Sequence, residues 1–305
     1  MENRDYAVRL MVEDTAVVGY VARTTFLVDK ARKLHATFPI ATAALGRALT
    51  LASLMGIGLK ENQRVTLQIR CRGPLGGLLV QANWKGEVRG YVSNPQIILP
   101  PREEGKLNVE DAVGVGSQLL VVKDLGLREP YVGSVEVQKG GIAYDLAYYF
   151  ALSEQLPSAC SAGVYVGKNG EVLGAGGFII HTPRGTAQEV ISVLEKNIAS
   201  LGEVSKRLYR GAEPEELAEE LFRGLPYRLT GKENLRYHCH CSRWRAERAL
   251  LLLGKEELED LLRKEGWGEV SCPFCGKVYT FSGEKLKAMI TYLKNRGGNH
   301  ESNQD

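Results

Sequence analysis

The stretches YHCHCS at residues 237–242 and SCPFCGK at 271–277 decide how this chain is read. They hold four of its 6 cysteines, Cys239 and Cys241 in the first and Cys272 and Cys275 in the second, while Cys71 and Cys160 stand apart. In a reducing compartment, two close pairs of thiols indicate a metal site rather than a disulfide framework. Four sulfurs complete a tetrahedral zinc site, with Zn–S near about 2.3 Å, and leave no position for water or substrate. Such a zinc is structural or regulatory, not hydrolytic. In the second pair Pro273 shapes the turn and Gly276 admits a left-handed residue after Cys275. In the first, residues two apart on an extended chain have Cα atoms roughly 6.6 Å apart, whereas a disulfide prefers about 5.5–6 Å. Metal-bound and oxidised forms are therefore expected to differ locally. His238 and His240 adjoin the first pair as alternative nitrogen ligands, although four sulfurs suffice. Arg236, Arg243, Arg245 and Lys277 are close in sequence and are expected to offset the negative charge of a zinc bound by four thiolates.

Working outward, 242–253 and 255–264 read as two helices divided by Gly254, anchored by Leu251, Leu252, Leu258, Leu261 and Leu262, with Trp244 and Trp267 packing the same small core. The expected unit is a zinc-pinned domain over 237–296, followed by a polar, disordered tail over 297–305. Its apolar content is modest, so the metal should supply much of its folding free energy.

Upstream, 184–236 holds 9 acidic and 9 basic residues, with Val190, Ile191, Leu194, Ile198 and Leu201 at helical spacing. This predicts a helical linker. After Pro214, Glu215 precedes Glu219 and Glu216 precedes Glu220 by four residues, like-charge pairs each unfavourable by about 0.2–0.5 kcal/mol. A helix this short is marginal alone. The linker is therefore expected to be metastable, folded only while Leu217, Leu221 and Phe222 are docked on a neighbour.

Residues 1–183 read as an α+β core of antiparallel sheets with packed helices. Strands are expected over 6–21 about a turn at 13–15, over 64–71 with Val65, Leu67 and Ile69 on one face, and over 78–82, 87–92, 119–122 and 133–137. LVQANWKGEVRGYV and GVYVGKNGEVLGAGGF echo each other as two similar hairpins. Helices are expected over 26–35 and 41–55, parted by Pro39, and over 144–155. The apolar run 38–59 is a buried helix rather than a membrane span, because Arg47 near its middle would cost about 2.5–3.5 kcal/mol to insert.

The chain has 305 residues, enough for two or three folded units, and its formal charge of +3 is too small for a dedicated nucleic-acid or membrane-surface binder. No apolar leader opens it, so the cytoplasm is the expected location. Enzyme signals fail one by one. Gly114-Val-Gly116 lacks the third glycine of a dinucleotide fingerprint. Ser153, Glu154 and His181 lack a nucleophile elbow. The zinc-deaminase pattern is absent. His35 and His181 read as packed histidines, and Cys71 and Cys160 as buried, inert thiols.

Cys-x-Cys and Cys-x-x-Cys separated by 30 residues, Ser242 directly after Cys241, DLAYYFALSEQLPSA at 145–159 and GAGGFII at 174–180 together resemble the redox-regulated holdase chaperones, the thirty-three-kilodalton heat-shock protein family, over nearly the full length. The resemblance implies a chaperone, not an enzyme. It implies one Zn2+ held by Cys239, Cys241, Cys272 and Cys275 in an inactive reduced form. Oxidants would pair Cys239 with Cys241 and Cys272 with Cys275, release the metal and unfold the linker. Apolar surface would then hold unfolding client proteins without ATP, with homodimers in the oxidised state and no nucleic-acid or membrane partner. The competing class is a zinc-ribbon nucleic-acid binder, but 237–296 carries 11 basic and 8 acidic residues, a weak footprint once the zinc centre is counted.

Overall fold

The computed structural model describes residues 5–102 and 105–297, and the chain divides into two compact units at the junction of His238 and Cys239. The first unit opens with the hairpin β1 (Asp5–Val12) and β2 (Val18–Arg23), then α1 (Thr25–His35) and α2 (Pro39–Gly56). β3 (Arg64–Arg70), β4 (Gly77–Asn83) and β5 (Glu87–Val92) form a meander. A short α3 (Val109–Val113), which sequence periodicity did not reveal, precedes β6 (Gln118–Asp124) and β7 (Tyr131–Glu136). α4 (Ala143–Ser153) leads into the hairpin β8 (Ser158–Val166) and β9 (Val172–His181). The two echoing segments are indeed two antiparallel hairpins, β4–β5 and β8–β9.

Residues 184–236 are helical only in part. α5 (Gln188–Leu201), α6 (Val204–Tyr209) and α7 (Pro214–Leu221) follow the expectation, but from Tyr227 the segment enters an eleven-residue strand, β10 (Tyr227–Tyr237). This corrects the all-helical reading. YRLTGKENLRY has little apolar alternation because most of its side chains face out; what makes it a strand is pairing with β1, more than two hundred residues away, with a bulge opposite Arg9 and Leu10.

The strand order is β7-β6-β3-β4-β5-β10-β1-β2-β9-β8. Every neighbouring pair is antiparallel except β10–β5, which touch in parallel at Arg236–Glu87 and Tyr237–Val88. The unit is thus two antiparallel sheets joined at one short seam, consistent with the α+β expectation.

Strand alternation sends residues into two separate cores. On β1, Ala7 joins the main core with Tyr20, Ala22 and Ile179, while Tyr6, Val8, Leu10 and Val12 face the other side with Val21, Phe178 and Ile180. The main core is built around α2, whose run from Ile40 to Gly56 is buried except at Arg47. Its hydroxyls are bonded back to the helix, Thr50 Oγ1 to the Gly46 carbonyl and Ser53 Oγ to that of Leu49, both at 2.8 Å. Among the described residues no helix is long and apolar enough to cross a membrane. The second core is closed by α5, α6 and α7, through Leu194, Leu201, Val204, Leu208, Leu217, Leu221 and Phe222.

Two titratable groups, Asp5 buried and His181 half-buried, give this unit opposing pH responses. Burial pulls His181, whose Nδ1 is 2.7 Å from Ser158 Oγ, down to about 4 from an ordinary 6.5. Burial pushes Asp5 up to about 6 from 3.8, against a 2.6 Å hydrogen bond from the Leu27 amide. The stability due to His181 is present above pH 6.5 and is lost as pH falls through 4; that due to Asp5 is present below pH 3.8 and is lost as pH rises through 6. Each is worth roughly 3 kcal/mol, so they offset one another over the same window. His181→Gln should make acidification from pH 7 to 4.5 stabilising for the first unit, and Asp5→Asn should make it destabilising. Hydrogen exchange of the α2 amides reads the sign directly.

The second unit contains α8 (Arg243–Leu251), α9 (Lys255–Lys264), the hairpin β11 (Trp267–Ser271) and β12 (Val278–Ser282), and α10 (Gly283–Gly297). Its core is small: Ala246, Leu250, Leu258, Tyr279, Phe281, Leu286, Met289 and Ile290. Two expectations are corrected here. Leu252 is 88% exposed and Trp244 61% exposed, because α8 starts at its N-cap Ser242 in a phase that turns Ala246 and Leu250 inward and Trp244 outward, beneath Arg248. Trp267 is also largely exposed at the start of β11. Beyond Gly297 the expected tail lies outside the described residues.

Candidate metal centre

Two local devices present the four sulfurs. Cys239 and Cys241 lie in the extended segment ahead of α8, and Ser242, next in the chain, turns it into the helix by accepting the Arg245 amide at 3.3 Å on its Oγ. Cys272 and Cys275 lie in the turn between β11 and β12. There the Cys272 amide donates to the Lys277 carbonyl at 3.0 Å and the Gly276 amide to the Cys272 carbonyl at 2.9 Å. Gly276 takes a φ of 69°, as its position after the second thiol requires.

The four Sγ atoms lie within 4.8 Å of one another. Cys239 is 3.7 Å from Cys272 and Cys241 is 3.5 Å from Cys275, while none of the six cysteines is in a disulfide. A tetrahedron with metal–sulfur bonds of about 2.3 Å has edges of roughly 3.8 Å, and an S–S bond is about 2.05 Å. The spacing suits four thiolates around one ion.

The charge state argues the same way. Burial opposes ionisation of Cys241, but a 3.1 Å hydrogen bond from Tyr279 Oη and further bonds from the neighbouring thiols outweigh it and draw Cys241 down to about 7. Cys275 moves the other way, pushed up to about 12 by burial and by the sulfurs around it. Cys272 is raised as well, through burial and its bond to Cys239. Cys241 ionises readily while Cys272 and Cys275 resist, so a cation at the centre would favour full ionisation of the cluster. The donor set, sulfur only and closed, fits a soft divalent ion such as zinc.

The cluster contains no histidine. Of the bases expected to neutralise it, Arg243 donates to the Thr280 carbonyl at 2.8 Å and covers the Phe281 ring, Arg245 donates to the His240 carbonyl at 2.8 Å, Lys277 sits over Tyr279, and Arg236 pairs with Glu87. Tyr279 is the side chain that meets a sulfur directly, its Oη 3.1 Å from Cys241 Sγ. Spacing alone did not reveal Tyr279; the fold brings it to Cys241 because β12 leaves the turn in the direction of that thiol.

The other candidates do not assemble. Ser153 Oγ is 3.3 Å from Tyr131 Oη, whereas His181 is bonded to Ser158, so no triad forms. Cys71 and Cys160 are apart and half-buried, with burial raising both thiols, Cys71 to about 12.

A family profile described as Hsp33 protein matches residues 5–282. The 33 kDa chaperonin of Bacillus subtilis (strain 168) is 42% identical over 285 residues, covering 93% of this chain and 98% of that protein. The chain belongs to the Hsp33 family. A second Hsp33-family relative, the 33 kDa chaperonin of Caldanaerobacter subterraneus subsp. tengcongensis, is 42% identical over 292 residues, 95% of this chain and 99% of its own. The crystal structure of the 33 kDa chaperonin from Thermotoga maritima superposes with a TM-score of 0.88 at 41% identity, covering 96% of this chain and 99% of that one. Membership in the Hsp33 family makes this a chaperone-family protein with a cysteine cluster able to bind metal.

Proposed function

We propose that the protein is a redox-regulated, ATP-independent holdase, acting in the cytoplasm on unfolding client proteins, with Cys239, Cys241, Cys272 and Cys275 as both zinc ligands and redox switch. The observation that carries this reading is four reduced sulfurs gathered at metal-site spacing in a member of a chaperone family. When bound, zinc supplies a cross-link that holds two chain segments together and keeps the thiols ionised.

Oxidation acts on the residues directly. Each pair of zinc-held thiolates, Cys239 with Cys241 and Cys272 with Cys275, would give up two electrons as its S–S bond forms, and one hypochlorous acid per pair would be reduced to chloride and hydroxide. Each disulfide removes two ligands. The contacts of 3.7 and 3.5 Å join Cys239 to Cys272 and Cys241 to Cys275, so the proposed pairing would draw the sulfurs out of these contacts and bring them to about 2.05 Å, the length of an S–S bond. The second unit, with its small core, then loses its main support.

The proposal assigns client binding to the sheet face now closed by α5–α7. Leu217, Leu221 and Phe222 are fully buried there, as a helix too short to stand alone requires. The like-charge pairs on α7 are relieved by specific partners. Glu216 completes a capping box with Glu213, and Glu220 pairs with Arg207. Tyr6 Oη lies 2.8 and 2.6 Å from carboxylate oxygens of Glu213 and Glu215, which share its one proton, Arg23 pairs with Glu213, and Lys232 pairs with Glu215, the last two at 2.7 Å. Tyr6→Phe removes the one proton these two carboxylates share, a charged hydrogen bond worth about 1.5–3 kcal/mol at most. It should lower the temperature at which oxidised protein becomes active, read as the onset of client binding on heating.

The central test is light scattering from a heat-denatured client. Oxidised, zinc-free protein, with dimers in this state, should suppress aggregation, and the reduced zinc form should not. Equal activity of the two forms would remove the switch.

A further inference from the structure

We propose that Tyr279 is a positioning residue of the cysteine switch: the hydroxyl it donates to Cys241 Sγ restrains that sulfur as a nucleophile and so sets how fast an oxidant closes the first cysteine pair. The proposal rests on the zinc and redox reading above and assigns to one side chain a rate that the four ligands alone do not fix.

The sulfurs are supported in different ways. Those of the second pair face backbone: the amides of Phe274 and Cys275 hydrogen-bond Cys272, and the amide of Lys277 hydrogen-bonds Cys275. These donors belong to the turn itself, and no change of side chain removes them. Cys241 lies on the extended segment before α8, and among the described residues its one oxygen or nitrogen donor is the Tyr279 hydroxyl, 3.1 Å away. It is therefore the sulfur whose reactivity a single side chain can tune.

Tyr279 is fixed in place by its own packing. It pairs with Val270 across the β11–β12 hairpin, and its ring is buried in the second unit's core, against which Cys241 also packs. Among the described residues Cys241 is the one acceptor of its hydroxyl, so nothing there competes for that proton. Cys241 itself is half-buried, so burial alone does not keep a small oxidant away from it.

With the sulfurs already ionised around zinc, a hydrogen bond cannot make more thiolate and acts only on the electron pair already there. When Cys241 attacks hydrogen peroxide, an S–O bond forms, the O–O bond breaks and hydroxide leaves. The Cys239 thiolate then attacks the Cys241 sulfur, forming the S–S bond and expelling a second hydroxide, so two electrons pass from the two sulfurs to one peroxide. Negative charge leaves Cys241 in the first step. The Tyr279 bond is thus stronger before that step than at its transition state, and it slows the attack. Among thiolates in exchange reactions, reactivity follows basicity with a slope of about 0.4–0.5, so only part of the bond's strength reaches the rate. Removing it should speed Cys241 about fivefold, equivalent to about 1 kcal/mol.

The experiment uses the full-length, reduced, zinc-loaded protein and its Tyr279→Phe variant, which keeps the ring. Each is treated with iodoacetamide, whose carbon the thiolate attacks with loss of iodide, and separately with hydrogen peroxide. Mass spectrometry follows every cysteine, and a chromogenic chelator follows zinc. Initial labelling of Cys241, and closure of Cys239 with Cys241 by peroxide, should both be about fivefold faster in the variant, with Cys272 and Cys275 unchanged. Zinc affinity should not fall, because a thiolate relieved of a hydrogen bond is no poorer a ligand. Tyr279→meta-fluorotyrosine, a stronger donor on a nearly unchanged ring, should slow Cys241 instead, which keeps the test decisive if the phenylalanine variant unfolds. A Cys241 rate that neither substitution moves would overturn the proposal. So would a gain shared by all four sulfurs together with weaker zinc binding, the mark of packing alone. Restraint of Cys241 in a protein that, once oxidised, suppresses no aggregation would defeat the holdase reading only. A parent protein that binds no zinc would defeat the switch and this proposal with it.

Discussion

Phe222→Ala should convert the reduced, zinc-loaded protein into an active holdase. Phe222 is fully buried at the end of α7, its ring against Tyr227 and over Gly19 of β2, and truncating such a side chain costs about 3–5 kcal/mol. That loss falls on a helix of eight residues with two like-charge pairs, which has little stability apart from its docking. The segment 184–226 should therefore detach while the α2 core stays folded. Limited proteolysis should cut there, and aggregation suppression should appear without oxidant. Gly19→Ala approaches the same contact from the sheet. A Cβ at Gly19 would lie 2.6 Å from Phe222 Cζ and 3.0 Å from Leu10 Cδ1, so the ring must leave its seat although every linker residue is intact. If both variants lose stability yet stay inactive under reducing conditions, the sheet face beneath α7 is not where clients bind.

Chelation should melt the second unit and leave the first folded. Apparent zinc-binding free energies of about 10–16 kcal/mol are folding energy in small metal-pinned domains, and eight buried side chains form the core here. With a strong chelator and a reductant at pH 7, amide signals of β11 and β12 should collapse to random-coil positions while those of β3 and β4 persist. Cys272→Ser, which removes one ligand, should do the same without chelator. The effect has a defined pH sign. Without a cation Cys275 is pushed up to about 12, so the ion must displace protons to bind, and zinc affinity should fall as pH falls. A second unit that stays folded after the metal is gone would show that its side chains suffice.

Much of the cysteine cluster was legible because ligand chemistry is local. The spacing of Cys272 and Cys275 with Gly276 after them specifies a knuckle whatever surrounds it, and Ser242 specifies the helix that follows Cys241. Tyr279 was not legible, since its link to Cys241 depends on how a hairpin faces a segment 38 residues earlier. The misplacement of Trp244 and Leu252 has a related cause. Hydrophobicity suggests burial, but the phase of α8 is set by its cap and by the small core it meets.

The sequence by itself determined the pieces whose physics is short-range: the alternation of β3, the proline-opened helices α2 and α7, the paired thiols and the weakness of α7 on its own. Only the tertiary structure decided that 227–237 is a strand and that opposite faces of β1 serve two cores. It also decided that Glu213 and Glu215 are held by Tyr6, Arg23 and Lys232. Apart from the pair of Lys232 and Glu215, 17 residues apart, these join residues about two hundred apart or assign a face to a neighbour, and the backbone hydrogen bonds and buried contacts responsible exist only once distant segments have met.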